Sequence, residues 1–379
     1  MHGTINLNPE KCHQEKYRLW QGCPTILCTP GGRLYAGWYT GGTKEPSLLC
    51  YNVLVRSDDG GLRWSQPLLV IESLKEEKIL CIDIQLWLDP RNRMWIFWTQ
   101  RDMNHTIRTP EHLQTYAVIC ENPDADELTF SSPRLIAPGF LRCQPTVLSD
   151  GRILLCAYDW TCSRYCYSES SDGGDTWVRR EGGLKNCSDL SYDEDMILEH
   201  TDGTLQLLAR SDGGEGVLME SFSYDGGNVW TAGAPSGITA PGSRFFIQRL
   251  PSGRVLLVKN DSPDKRVMLT AYLSEDDGKS WPYSLLITPG ESSYPDCAVS
   301  SGGAIYLVHD RGRTTFKEIR ISRFTEEDIR QGEVTDPDSY LCSLISKAPG
   351  TPADPEMAGK FSAEDAEFQA NFLKLLGLE

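Results

Sequence analysis

The chain has 379 residues, 40% of them hydrophobic, and its 37 Lys and Arg against 53 Asp and Glu leave a net charge of −16. That acidity is spread along the chain rather than blocked, which argues against nucleic acid or an anionic membrane surface as a partner. No apolar run approaches the roughly 18 residues of a membrane span, and the first twenty residues have no apolar segment behind a basic one, so one large, soluble, cytoplasmic domain is expected.

Residues 1–20 read as a lead-in that supplies an edge strand. After them, an apolar strand, a turn and a second apolar strand recur six times, at 24–39, 84–100, 145–159, 195–210, 245–260 and 297–310, with starts 60, 61, 50, 50 and 52 residues apart. Four of these hairpins are followed by a Ser, Asp, Gly and Trp pattern: Ser57 to Trp64 (SDDGGLRW), Ser170 to Trp177 (SSDGGDTW), Ser223 to Trp230 (SYDGGNVW) and Ser274 to Trp281 (SEDDGKSW). In each, the Asp can accept hydrogen bonds from its own turn, Gly supplies positive φ, and Trp buries a large apolar surface, which makes a staple between two strands. The Trp intervals of 113, 53 and 51 residues place a decayed copy near 123–132.

Past the sixth hairpin, a third strand reaches Phe324 and a short helix opens at Thr325-Glu326-Glu327-Asp328, a capping-box pattern. Beyond Pro337 the composition turns polar. The tail reads as an amphipathic helix with Ser362 as N-cap and Phe368, Phe372, Leu375 and Leu376 on one face, docked on its own domain or used as a homo-oligomer contact. The 13 cysteines, an odd number lying mostly in strand patterns such as those of Cys28, Cys50, Cys120 and Cys156, suit reduced, buried thiols. Cys162 and Cys166 are a close pair on an expected loop, but the nearest histidines are His105 and His112, and neither a metal nor a cofactor is assigned.

Six hairpins of near-constant period indicate six four-stranded blades. Over roughly residues 15 to 330 the chain resembles the Asp-box, or BNR-repeat, propellers of the sialidase (neuraminidase) superfamily. The resemblance implies an all-β, six-bladed β-propeller with its Asp boxes on the outer rim in a structural role. We expect the propeller in 1–345, followed by a linker and a short C-terminal α-helix in 346–379.

In a propeller, the innermost strand of each blade lines a central channel, so the residues just before the first strand and just after the second form the mouth. The windows before are Gln21-Gly22-Cys23, Cys81-Ile82-Asp83, Arg142-Cys143-Gln144, Asp193-Glu194-Asp195, Ser243-Arg244 and Tyr294-Pro295-Asp296. Those after are Trp38-Tyr39, Gln100-Arg101, Asp159-Trp160, Arg210, Asn260-Asp261, and His309-Asp310-Arg311 with Arg313. Carboxylates converging from several blades suit acid and base work on a glycosidic bond. Arginines suit a planar anion, and Trp38, Tyr39 and Trp160 could stack on a sugar face.

The resemblance further implies a tyrosine nucleophile paired with a glutamate, arginines for a substrate carboxylate, and an aspartate acid/base. Glu194, Arg210 in LLARS, and Tyr294 in SYPD match that plan, with Arg244 or Arg311 as a further arginine. Two departures stand out: the family's first-blade Arg-Ile-Pro is Gly22-Cys23-Pro24 here, and the segment Leu48 to Asn52 before the first Asp box supplies no acid. Asp83 is the candidate replacement acid, with Asp159 behind it. The expected catalytic residues are therefore Asp83, Glu194 and Tyr294, and the expected substrate-binding residues are Arg142, Asp159, Arg210, Arg244, Asp296, Arg311, Trp38 and Trp160. The expected function is an exo-acting glycoside hydrolase on a terminal acidic or deoxy sugar. Two other readings are open: a polysaccharide lyase using Tyr294 or His309 as base, and a non-catalytic carbohydrate-binding propeller.

Overall fold

The computed structural model describes residues 2–105, 109–186 and 193–351, together with residues 363, 366–368 and 370, which are helical. Ser362, Phe372, Leu375 and Leu376 of the expected tail helix lie outside the described residues. The rest is almost wholly β. Blade one contains β1 (Thr4–Asn6), β2 (Gln21–Cys28), β3 (Leu34–Thr40), β4 (Tyr51–Ser57) and β5 (Leu69–Glu72); blade two contains β6 (Ile79–Leu88), β7 (Met94–Asp102), β8 (Leu113–Cys120) and β9 (Arg134–Pro138). Blade three is interrupted, with β10 (Phe140–Leu141), β11 (Thr146–Val147), β12 (Ile153–Leu155), β13 (Ala157–Tyr158), β14 (Arg164–Ser170) and β15 (Val178–Leu184).

Blade four holds β16 (Met196–Glu199), β17 (Leu205–Ala209), β18 (Val217–Ser223) and β19 (Ala234–Thr239), and blade five β20 (Phe246–Arg249), β21 (Val255–Asn260), β22 (Leu269–Ser274) and β23 (Tyr283–Thr288). Blade six is built from β24 (Ser293–Val299), β25 (Ile305–Arg311), β26 (Glu318–Phe324) and β27 (Tyr340–Lys347), with helix α1 (Glu326–Gln331) before its last strand. Apart from β1 at the edge of blade one and the separate β10–β13 pair in blade three, each blade is a meander in sequence order, and the fold is a six-bladed β-propeller. β1 pairs with β5 at the outer edge of blade one, so the lead-in does supply an edge strand. β27 runs to Lys347, two residues beyond the domain boundary expected at 345, and it supplies a fourth strand where the sequence analysis had a polar stretch.

The four Ser, Asp, Gly and Trp turns share one geometry. The Ser57, Ser170, Ser223 and Ser274 hydroxyls accept from the backbone N–H of Gly61, Gly174, Gly227 and Gly278 at 2.8–3.0 Å. Asp59, Asp172, Asp225 and Asp276 accept from the N–H four residues on at 2.8–2.9 Å. The indoles of Trp64, Trp177 and Trp230 each donate to a Gly carbonyl at 3.1 Å. Near 123–132 the staple is absent and other contacts hold the turn: Tyr35 donates to the Pro123 carbonyl at 2.7 Å, and Ser131 pairs with Ile119. At α1, Thr325 and Asp328 form the expected capping box.

The chain divides into two compact units, one of residues 1–135, 308–321 and 343–379, the other of residues 136–307 and 322–342. The first has its core in Leu27, Tyr35, Leu54, Leu86, Ile96, Trp98 and their neighbours, the second in Phe245, Leu257, Leu273, Leu307 and theirs. Twelve described cysteines are free thiols, nine of them buried. Among the described residues, no helix is long and apolar enough to cross a membrane.

Candidate active site

Four blades share a backbone device at the start of the first strand. Cys23, Asp83, Glu194 and Tyr294 all adopt left-handed φ, at 56°, 52°, 44° and 55°. For residues with a Cβ this conformation costs on the order of 1–3 kcal/mol and persists only where the surroundings impose it. In blades one and two it coincides with a register slip, between Gly22 and Thr25 against β3 and between Ile82 and Gln85 against β7. An added residue of this kind turns a side chain away from the ordinary two-residue alternation. Three of the four residues so turned are the expected catalytic ones.

In the second unit these turns bring Glu194 and Tyr294 together. Both are buried, at 0% and 2% exposure, and the Tyr294 hydroxyl donates to Glu194 Oε1 at 2.5 Å. Arg210, one residue past β17, donates from Nη1 to the same hydroxyl at 2.8 Å and lies 3.0 Å from Glu194 Oε2. Its other edge is held by Asp212, whose Oδ1 accepts from Nε and Nη2 at 3.0 and 2.8 Å. Arg142 Nη1 is 3.6 Å from Glu194 Oε1. Burial alone would raise the Glu194 pKa, but Arg210, Arg142 and the Tyr294 hydroxyl outweigh it and hold the carboxyl below its usual value. Glu194 is therefore an ionised acceptor aimed at a phenol proton.

The Tyr294 ring is surrounded by cations. The guanidinium carbons of Arg142, Arg244 and Arg266 lie 5.3, 5.4 and 5.4 Å from its centroid. Arg244 is a clamp: it donates to the carbonyls of Arg142, Tyr294 and Pro295, tying the starts of two inner strands together. Arg266 donates to the Gly242 carbonyl at 2.7 and 3.2 Å. Next to Glu194 in sequence, Asp195 is fully buried, and burial followed by the charge of Asp193 raises its pKa well above the carboxylate range. Asp193 itself pairs with Lys185 at 2.7 Å. Two adjacent acids are thus shifted in opposite directions, Glu194 downwards and Asp195 upwards.

The other expected residues are distributed differently. Asp296 is buried and accepts from Gln144 Nε2 at 3.1 Å. Asp159 pairs with Arg179 at 2.8 Å and accepts from the N–H and hydroxyl of Thr161; these bonds offset its burial and keep it ionised, which removes it as a reserve proton donor. Trp160 packs with Phe140 and Tyr158, at centroid distances of 5.3 and 6.1 Å. In the first unit, Trp38 is a core residue among Ala36, Val53 and Val70 rather than a platform for a sugar, because β3 is buried along its whole length. Asp83 is buried on β6. Arg311 bonds Glu318 across to β26 and stacks on Phe316. His309 is fully buried, and burial lowers its pKa to about 4.

A model of the BNR repeat-like domain matches residues 32–307. The chain belongs to the BNR repeat-like domain family. A sialidase of Micromonospora viridifaciens is 29% identical to it over 153 residues, which is 38% of this chain and only 23% of the relative. Among solved structures, the Ruminococcus gnavus intramolecular trans-sialidase in complex with oseltamivir carboxylate superposes with a TM-score of 0.67 at 15% identity, covering 88% of this chain and 98% of that one. The leech intramolecular trans-sialidase superposes at 0.68 with 14% identity, covering 87% and 71%. These two likenesses establish a shared sialidase-like fold.

Sequence reasoning overlooked two residues of this BNR-repeat protein. Asp212, two positions beyond Arg210, orients that arginine, and Arg266 comes from the loop between β21 and β22. Arg313 was placed in a mouth window but given no role. Its side chain lies over Gly22, where a Cβ would meet Nε at 2.9 Å. Asp310 Oδ2 and Glu45 Oε1 accept from Arg313 at 2.8 Å each, and Asp310 also accepts from the Cys23 N–H. Gly22 thus leaves room for an arginine from the turn that follows β25.

Proposed function

We propose that this protein is an exo-acting glycoside hydrolase that removes a terminal acidic sugar through a tyrosine nucleophile. The observation that carries the reading is the buried Tyr294 hydroxyl bonded at 2.5 Å to the Glu194 carboxylate and at 2.8 Å to Arg210. In this reading the Tyr294 oxygen forms a bond to the anomeric carbon as its proton passes to Glu194, and the glycosidic C–O bond breaks. The leaving oxygen takes a proton from a general acid, whose conjugate base then takes one from the water that releases the sugar, while Glu194 returns its proton to the Tyr294 oxygen. A tyrosine suits an anionic sugar because a neutral nucleophile is not repelled by a carboxylate, and the surrounding guanidinium groups stabilise negative charge developing on the phenol oxygen.

The sialidase relative and the fold neighbour solved with oseltamivir carboxylate make a carboxylate-bearing sugar the first to try. The test is release of aglycone from a panel of aryl sialosides, uronides and rhamnosides at mildly acidic to neutral pH. Turnover of one class that is abolished in Tyr294→Phe supports the reading. Tight binding by calorimetry with no turnover of any class would replace it with a carbohydrate-binding propeller, and an ultraviolet-absorbing unsaturated product would replace it with a lyase.

A further inference from the structure

Asp102, His105 and His112 lie in the first unit, where β7 turns into β8. Asp102 is the last residue of β7 and His112 immediately precedes β8; the Asp102 N–H donates to the His112 carbonyl at 2.9 Å, so the two residues face each other across the base of the hairpin. His105 enters from the loop between them. One ligand atom from each of the three lies within 4.8 Å of the others. His105 Nε2 is 3.6 Å and His112 Nδ1 4.0 Å from the same carboxylate oxygen, Asp102 Oδ2.

The carboxylate is oriented for this. Its other oxygen, Oδ1, accepts from both the backbone N–H and the side-chain amide of Asn104 at 2.9 Å. Asn104 is anchored in turn, since its amide also donates to the Glu77 carbonyl at 2.9 Å, and the neighbouring Met103 N–H donates to the Lys78 carbonyl. One oxygen is thus occupied by an anchored amide and the other faces two imidazoles. A ligating carboxylate held by an outer hydrogen bond is a common arrangement at metal centres.

We propose that Asp102, His105 and His112 form a binding site for a divalent transition-metal cation, zinc foremost. Two imidazoles and a carboxylate are borderline-to-hard donors that suit zinc, cobalt and nickel, with water completing the shell on the open side. Zinc bonds of about 2.0–2.1 Å in a tetrahedron put ligand atoms about 3.3 Å apart, so separations that lie within 4.8 Å need to close by up to about 1.5 Å. One rearrangement is required. The two rings are stacked, with centroids 3.6 Å apart and planes 9° from parallel, and parallel rings cannot both aim an in-plane lone pair at one ion. His105, half exposed, has room to turn about its Cβ–Cγ bond, a soft torsion. The bound cation would then cross-link the loop to the base of its hairpin.

The full chain, freed of metal with a chelator, is titrated with cobalt chloride by absorption and with zinc chloride by calorimetry. The expected result is one equivalent of cobalt showing weak visible bands and no intense thiolate charge-transfer band, displaced by zinc. His105→Ala or His112→Ala weakens binding at least about a hundredfold, and Asn104→Ala, which removes the amide bonds to the carboxylate and to the Glu77 carbonyl, about tenfold. Unchanged circular dichroism and melting temperature in these partly exposed positions confirm that the variants fold. No saturable binding overturns the proposal, as does binding that survives loss of both histidines, or a thiolate band showing that the ion has gone to the cysteines.

Discussion

Tyr294→Phe separates chemistry from stability at the proposed centre. The substitution removes one oxygen that donates to Glu194 and accepts from Arg210. Hydrogen bonds to charged groups each contribute roughly 1.5–3 kcal/mol, but the loss is smaller when the partners stay satisfied. Here Glu194 and Arg210 remain 3.0 Å apart, Asp212 still holds Arg210, and Arg142 still faces Glu194, so no buried charge is left alone. The expected net cost is about 1–2 kcal/mol. With an unfolding entropy of roughly 2.1 cal/mol/K per residue, 379 residues give about 0.8 kcal/mol/K, so Tm falls by only about 1–3 °C. Turnover, by contrast, falls at least about a hundredfold, equivalent to about 2.7 kcal/mol of barrier. The assay pairs differential scanning calorimetry with aglycone release from the substrate class found in the panel. Full turnover in the variant would refute the nucleophile assignment. A Tm drop large enough to unfold the protein at assay temperature would refute the claim that the ion pair stands without the hydroxyl.

Two further outcomes are expected. His309, buried on β25, has its pKa lowered from 6.5 to about 4. Its neutral form is the one that folds, so its stabilisation is complete above about pH 6.5 and is lost as pH falls towards 4, a total on the order of 3 kcal/mol; urea unfolding from pH 7 to 4 should show this decline, and His309→Gln should flatten it. Asp59 and Asp276 have pKa values lowered to about 2, chiefly by bonds from the side chains of Arg63 and Ser280 and the backbone beneath them. These turns therefore keep their full contribution above about pH 4 and lose it only as pH falls through 2. Asp276→Ala should lower Tm and leave turnover unchanged; a loss of turnover at unchanged Tm would overturn the structural role of the turn.

Much of the fold could be read along the chain because its signals are local. The hairpin at 245–260 appears as β20 and β21, and the capping box at Thr325 is in place. β27 was missed because Asp336, Pro337 and Asp338 suggest a linker, while its run of mostly half-buried residues without alternation needs β26 beside it to read as a strand. Within the candidate site, Glu194, Tyr294, Arg210, Arg142 and Arg244 were all found from their positions at strand ends. Their roles were less legible: Arg244 spends its donors on backbone carbonyls, and Trp38 lies in the core.

The sequence by itself determined the repeat, the turn that punctuates it, and the short windows from which chemistry can come, since each rests on spacing and on hydrogen bonds within a few residues. Only the tertiary structure decided which members of those windows meet. A left-handed residue at 194 and another at 294 turn two side chains out of alternation and into contact across 100 residues of chain. A single register slip reverses which face a side chain occupies, and no local pattern in the sequence records that a slip is there.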